Sequence, residues 1–391
     1  MATLAAMLGT ALEEIRAANL HRARRVVEAF PVPGSSVAVV VDGERRINFC
    51  GNDYLALSHH PAVRAAFTEA AQRCGVGSGA SHLVTGHSRE HHALEEELAA
   101  FVGRPRALLF STGYMANLAA ISSLARRQDL VAGDRLNHAS LLDAGFVSGA
   151  RVKRFTHASA PALDRLLTEE PFERAIVATD GVFSMDGDVA PLAALASVCR
   201  ARGAWLVVDD AHGLGVVGPA GRGSVDAAGL GLDDVPVLVG TLGKAFGTFG
   251  AFIAGSHDLI EFLIQKARSY IYTTALPPAV AAATRASLRI AAEDGWRRDR
   301  LRVLIERFRQ GAGQAGLNLT QSVTPIQAVI LGEPRSALEA SAALARQGLW
   351  VAAIRPPTVP PGTSRLRITL SAAHSDEDLD RLLNALSTLP P

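Results

Sequence analysis

A single lysine sits between glycines in Thr241-Leu-Gly-Lys-Ala-Phe-Gly247, directly after the apolar run 235–240. Upstream, Ala204-Trp-Leu-Val-Val-Asp209-Asp-Ala-His212 has the same layout, a short apolar segment with a carboxylate and an imidazole at its exit. Two buried strands that deliver polar side chains at their carboxyl ends suit an open parallel sheet, whose ligands sit beyond the strand ends. An amine facing a carboxylate and an imidazole is the set that pyridoxal phosphate requires. The Lys244 amine forms a Schiff base, the carboxylate keeps the pyridine nitrogen protonated so that the ring acts as an electron sink, and the imidazole holds the ring phenolate.

The elements needed to position these groups follow the same rule of strand, polar exit and helix. Residues 107–110 read as a strand, and Ser111-Thr-Gly113-Tyr114-Met-Ala-Asn117 opens a helix behind it. That geometry offers backbone N–H groups to an anion, here the phosphate of the cofactor. Asp134-Arg-Leu-Asn-His138-Ala-Ser140 is a further strand-end loop, and strand 175–179 leads into Asp180-Gly-Val-Phe-Ser184-Met-Asp-Gly187. Helical stretches such as 191–202 intervene, which predicts a parallel α/β domain. The glycines of Gly75-Val-Gly-Ser-Gly79-Ala-Ser-His-Leu-Val-Thr-Gly86 miss the dinucleotide spacing and follow no strand, so this segment reads as a flexible loop near a ligand.

On either side of this region the periodicity predicts a helix over 4–29 and a hairpin of strands 37–41 and 47–50 turned at Asp42-Gly43. Beyond Lys244 it predicts a strand at 251–254, a helix at 261–268, a strand at 270–274 and a long helix over 278–312. Strands at 327–331, 351–354 and 365–369 with helices at 335–347 and 375–386 make an α+β end. The expected organisation is an N-terminal arm and small-domain edge over 1–50, a large α/β domain over 51–285 and a smaller domain over 286–391.

With 391 residues, 48% hydrophobic and 20% charged, the chain is long enough for a large core. A net charge of +1, with the basic residues interspersed among acids, leaves no footprint for nucleic acid. No apolar run reaches the roughly 20 residues of a bilayer span. Residues 1–12 run into Glu13 and Glu14, which reads as an amphipathic helix instead of a targeting peptide. Cys50, Cys74 and Cys199 are widely spaced and lack ligand spacing, so buried reduced thiols in a cytoplasmic protein are expected, with no metal site.

The order and spacing of these stretches resemble the α-oxoamine synthases, fold-type I pyridoxal phosphate enzymes that condense an amino acid with an acyl thioester and release carbon dioxide. The resemblance runs from Asn52-Asp-Tyr-Leu55 to Arg365-Leu-Arg. It is carried most closely by Gly-Val-Phe-Ser184-Met-Asp-Gly-Asp188, Asp209-Asp-Ala-His212-Gly-Leu-Gly215 and Ala353-Ile-Arg355-Pro-Pro-Thr358-Val-Pro. It implies a large, mostly parallel sheet domain with a smaller α+β domain. Lys244 would carry the cofactor, Asp209 would pair with the pyridine nitrogen, and Ser184 and His212 would reach the ring oxygen. Gly113, Tyr114 and Thr241 would hold the phosphate, joined by Thr274 from the neighbouring subunit of a homodimer. His138 would stack on the ring and assist proton transfer. Arg355 would grip the substrate carboxylate, with Asn52 and Thr358 close by and Arg22 reaching the substrate from the N-terminal arm. The implied substrates are L-alanine and a pimeloyl thioester of coenzyme A or acyl carrier protein. Glycine-using members of the family are the alternative, and the resemblance associates them with alanine where this chain has Gly213.

Overall fold

The computed structural model describes residues 3–389 and separates into two units. The larger comprises Asn52–Ser184 and Asp188–Asp299; the smaller comprises Met1–Gly51, Met185–Gly187 and Arg300–Pro391. The division between Asp299 and Arg300 falls inside helix Gly295–Gln314. The outermost residues of the expected spans 1–50 and 286–391, namely 1, 2, 390 and 391, lie outside the described residues.

The larger unit is built on a seven-stranded sheet. Its strands run in the order Arg106–Phe110, Ala251–Gly255, Val237–Thr241, Trp205–Asp209, Ala175–Asp180, Leu130–Asp134 and Arg151–Phe155. Ala251–Gly255 is antiparallel to both of its neighbours, and the five strands beyond it are mutually parallel. Strand residues alternate between the two faces, as the two-residue period of a strand demands. Val207, Val237, Val239 and Ile253 pack on one face with helices Gly113–Leu124, Ala139–Ser148 and His257–Lys266, while Leu206, Val208 and Leu238 pack on the other with Ala160–Glu169 and Leu192–Arg202. Burial on both faces explains why these strands read as continuous apolar runs.

The smaller unit holds a four-stranded sheet, Val27–Ala29, Ala38–Val41, Glu44–Asn48 and Leu349–Trp350, and a three-stranded sheet, Ile326–Gly332, Ser364–Thr369 and Ala352–Ile354. The expected hairpin is present, and its turn residues Asp42 and Gly43 both adopt positive φ, +52° and +76°. That pairing matches the twist of the flanking strands.

Several local expectations are corrected. The helix expected over 4–29 ends at Ala17; Asn19 takes a left-handed φ of +57°, and Val27–Ala29 becomes a strand against Ala38–Val41. The strand expected at 270–274 is instead a short helix, Arg268–Ile271, because Ala267 and Tyr270 are buried at a helical interval and Tyr270 stacks on His82. The long helix over 278–312 breaks at Asp294 into Pro278–Glu293 and Gly295–Gln314. The glycine-rich segment closes in a π-helical turn, His82–Gly86. Cys199 is buried and Cys50 half-buried, and burial pushes both thiols up to about 12, but Cys74 is exposed at the end of its helix. No helix among the described residues is long and apolar enough to cross a membrane.

Candidate active site

Lys244 lies in the connection between strands Val237–Thr241 and Ala251–Gly255, whose antiparallel pairing brings Thr241 opposite Ala251. The connection is tied by its own backbone: Leu242 N donates to Gly250 O at 2.8 Å, Thr248 N to Leu242 O at 2.9 Å and Gly247 N to Lys244 O at 2.8 Å. Ala245 and Phe246 anchor it in the core. Gly247 is required there, since its φ is +64° and an added Cβ would come within 2.3 Å of Ser58 N.

This scaffold places Lys244 Nζ 2.7 Å from His212 Nε2. The imidazole is nearly buried, and its Nδ1 lies 2.7 Å from the hydroxyl of Tyr54. Asp209, at the exit of strand Trp205–Asp209, accepts from Asn117 Nδ2 at 2.6 Å and from Ala211 N at 3.0 Å. Asn117 also donates to Ser140 Oγ at 2.8 Å, and Ser140 Oγ lies 2.7 Å from His138 Nδ1. Because Asn117 Nδ2 can only donate to Ser140 Oγ, the serine proton is available to His138 Nδ1, which also accepts from Ser140 N at 3.3 Å. His138 therefore carries its own proton on Nε2. Desolvation holds its pKa below the ordinary 6.5, with Asp209 pulling it up and Lys244 pushing it down, so both charges share the neighbourhood of its ring.

Two buried acids brace this group. Asp180 Oδ2 accepts from His138 N at 2.7 Å, and burial followed by the adjacent Asp209 raises its pKa well above the carboxylate range. Asp210 accepts from Ser224 N at 2.6 Å and Ser224 Oγ at 2.7 Å, and burial pushes it up to about 7. Gly213 leaves room for that carboxylate; a Cβ there would lie 2.1 Å from Asp210 Oδ1.

The loop bearing Ser184 is held by His157, which pairs with Asp134 at 2.9 Å and with Asp188 at 2.9 Å. Burial alone would lower this imidazole, but the two carboxylates outweigh it and raise it from 6.5 to about 10. Its stabilising contribution is therefore complete below pH 6.5 and is lost as pH rises through about 10. A His157→Leu protein is expected to lose about 3 kcal/mol of stability at neutral pH, since Asp134 stays buried without its cation. Thermal melts at pH 7 and pH 10 should fall together less steeply for this protein than for the parent; identical slopes would remove His157 from the account.

The larger unit thus brings together Lys244, His212, Asp209 and His138, with Asn52 beside Tyr54 at 3.2 Å. Gly113 and Tyr114 open the helix that carries Asn117, and the Tyr114 hydroxyl binds Asp143. Thr241 Oγ1 donates to Gly250 O at 3.1 Å, and Ser184 is half-buried. Thr274 is exposed and bridged to Ser81. In the smaller unit Arg22 Nη2 donates to Thr358 Oγ1 at 3.2 Å, and Arg355 donates to the carbonyls of Asn19 and His21. Tyr54, Asn117, Ser140 and Asp180 were not singled out from the sequence, although each stands in or beside a motif read there. A buried asparagine in the first turns of an otherwise apolar helix was the available signal for Asn117.

The donor set fits pyridoxal phosphate. It offers an amine, a buried hydrogen-bonded carboxylate and a helix N-terminus whose first N–H groups lack helical acceptors. At that N-terminus, Gly113 has no atom within 4 Å of where a Cβ would stand, so an anion can approach the backbone. For a metal ion, the group among the described residues with ligand atoms within 4.8 Å of one another is His87, His92 and Glu95.

Residues 44–386 match the family Aminotransferase class I and II. An 8-amino-7-oxononanoate synthase from Methylococcus capsulatus is 61% identical over 382 residues, covering 98% of each chain. Among solved structures, a serine palmitoyltransferase from Sphingomonas wittichii superposes with a TM-score of 0.93 at 34% identity, over 99% of this chain and 98% of its own. A serine palmitoyltransferase from S. paucimobilis, solved with bound PLP and myriocin, gives a TM-score of 0.93 at 33% identity, over 100% of this chain and 98% of its own.

Proposed function

The chain belongs to the class I and II aminotransferase family of fold-type I pyridoxal phosphate enzymes, and we infer that it is an acyltransferase that makes 8-amino-7-oxononanoate for biotin biosynthesis. It joins L-alanine to a pimeloyl thioester with loss of carbon dioxide. The observation that carries this reading is the 61% identity with the Methylococcus capsulatus synthase along the whole of both chains. The glycine-using alternative is not favoured by such relatives.

Pyridoxal phosphate, when bound, supplies the electron sink that stabilises negative charge at the α-carbon of the amino acid. Lys244 would be the amine that carries the cofactor, and as a free amine it would be the base at the α-proton of L-alanine. Asp209 holds the positive pyridine nitrogen, oriented for this by Asn117 and Ala211 N. Gly113, Tyr114 and Thr241 hold the phosphate; Ser184 and His212 serve the ring oxygen. His138, with its proton on Nε2, would stack on the cofactor ring and could donate to the carbonyl oxygen of the incoming thioester. Arg355 binds the substrate carboxylate, with Arg22, Thr358 and Asn52 completing the substrate contacts. Thr274 acts on the phosphate of a second subunit in a homodimer, a role suited to its exposure beside the exposed Tyr272. A cytoplasmic setting suits the free thiols of Cys50, Cys74 and Cys199.

Purified protein supplied with L-alanine and either pimeloyl-CoA or pimeloyl carrier protein should release 8-amino-7-oxononanoate, identified by mass spectrometry. Faster product formation from glycine than from L-alanine would overturn the assignment. The ratio between the two acyl donors identifies the physiological carrier.

A further inference from the structure

The larger unit carries a cluster of imidazoles and carboxylates on residues that have no part in the reading of Lys244. His87 follows the π-helical turn His82–Gly86, and His92, Glu95 and Glu96 stand at positions i, i+3 and i+4 of helix Arg89–Phe101, so these last three share one face. With His82 and Arg106 they line a cavity of about 410 Å³. Arg106 pairs with Glu261 at 3.3 Å.

Ligand-type atoms of His87, His92 and Glu95 all lie within 4.8 Å of one another. Between His87 Nε2 and Glu95 Oε2 the gap is 4.0 Å, too long for a hydrogen bond but within the span of two ligands that share one ion at about 2.0–2.2 Å each. Both of these side chains are held in place. The Glu95 side chain is only 13% exposed, and its Oε1 accepts from Leu109 N at 2.9 Å while Oε2 faces the imidazole. His87 Nδ1 lies 3.0 Å from His82 Nδ1, and the His82 ring stacks on Tyr270 at 4.9 Å. A metal on His87 Nε2 puts the imidazole proton on Nδ1, where His82 Nδ1 accepts it, and an outer partner of this kind orients a metal ligand and raises its basicity. His92 is exposed on the helix surface, 3.5 Å from Glu96, so a change of rotamer can carry its ring the remaining distance.

We propose that His87, His92 and Glu95 form a binding site for a divalent transition-metal ion such as zinc, with two imidazole nitrogens and one carboxylate oxygen as its ligands. Such a donor set suits zinc and its neighbours in the first transition row better than magnesium or calcium, which take oxygen ligands. Three protein ligands leave a further position for water. The ion fastens the end of the glycine-rich segment to helix Arg89–Phe101. That segment in turn pairs with the chain around Thr274, through the bridge from Ser81 and the bond from Ala275 N to Ala80 O at 3.0 Å. The expectation of no metal site follows from the cysteines; these ligands are histidines and a carboxylate. None of them is assigned to cofactor or substrate, so the test of this site stands apart from the acyltransferase reading.

Full-length holoenzyme, cleared of metal with a chelator and then dialysed against zinc, is expected to retain one ion per chain by elemental analysis, and zinc should raise its melting temperature. His92→Gln removes a ligand from an exposed position, so its metal-free melting temperature should match the parent's while zinc affinity falls by about tenfold or more. Glu95→Gln keeps an acceptor for Leu109 N and should weaken zinc binding at least as much. His82→Phe keeps a ring against Tyr270 and removes the partner of His87 Nδ1, so a loss of about tenfold is expected. Zinc bound by His92→Gln and Glu95→Gln with the parent's affinity overturns the proposal. So does a parent protein that retains no zinc, or one whose melting temperature zinc leaves unchanged.

Discussion

Lys244→Ala protein is expected to lose turnover by about 10⁴-fold or more, because in the proposed reading the cofactor's covalent anchor and the base at the α-carbon disappear together. The visible absorbance of cofactor held by the lysine should vanish, and the cofactor should be removable by gel filtration. The fold should persist. Lys244 is half-buried in a connection whose shape is set by backbone bonds at Leu242, Gly247 and Thr248 and by the packing of Ala245 and Phe246. A melting temperature near the parent's would place the loss in the chemistry. Retained turnover in this variant would remove Lys244 from the centre of the site.

Asp209→Asn is the second large effect. The asparagine can keep the bond from Asn117 by turning its oxygen toward Nδ2, at the cost of the bond from Ala211 N, and cofactor binding should survive. What it cannot keep is the negative charge. A carboxylate against a positive ring nitrogen stabilises it through a Coulomb term that a neutral amide lacks, and at this nearly buried position screening by water is weak. Exchange of the L-alanine α-hydrogen in heavy water should slow by about a thousandfold, a loss of roughly 4 kcal/mol in transition-state stabilisation. Exchange at the parent's rate would show that the charge of Asp209 is not used. Asn117→Leu separates orientation from charge: the carboxylate remains but loses a charge-assisted bond, and a smaller loss of about tenfold is expected.

Both variants concern residues whose candidacy was visible in the chain. Asp209 and Lys244 each follow a run of apolar residues that is buried on both faces, and such a run needs only local periodicity to be recognised as a strand of a parallel sheet. Local pattern was less reliable where two periods compete. The short stretch around Tyr270 has β-forming residues yet turns helical, because contacts to His82 and Phe110, far away in sequence, outweigh intrinsic preference. The N-terminal helix likewise stops at Ala17, where Asn19 adopts a left-handed backbone that periodicity does not register.

By itself, the sequence determined the alternation of strand and helix, the polar exits that carry Asp209, His212 and Lys244, and the likeness to a family of pyridoxal phosphate enzymes. These are written in short segments, since burial and turn formation act over a few neighbouring residues. Only the tertiary structure decided which buried groups complete each other: Asn117 against Asp209, Asp180 beneath His138, His157 between Asp134 and Asp188, and Tyr54 behind His212. Each pairing joins residues from separate elements. A hydrogen bond has strict distance and direction, which chain spacing does not convey, so its partner is chosen only when the sheet has closed around it.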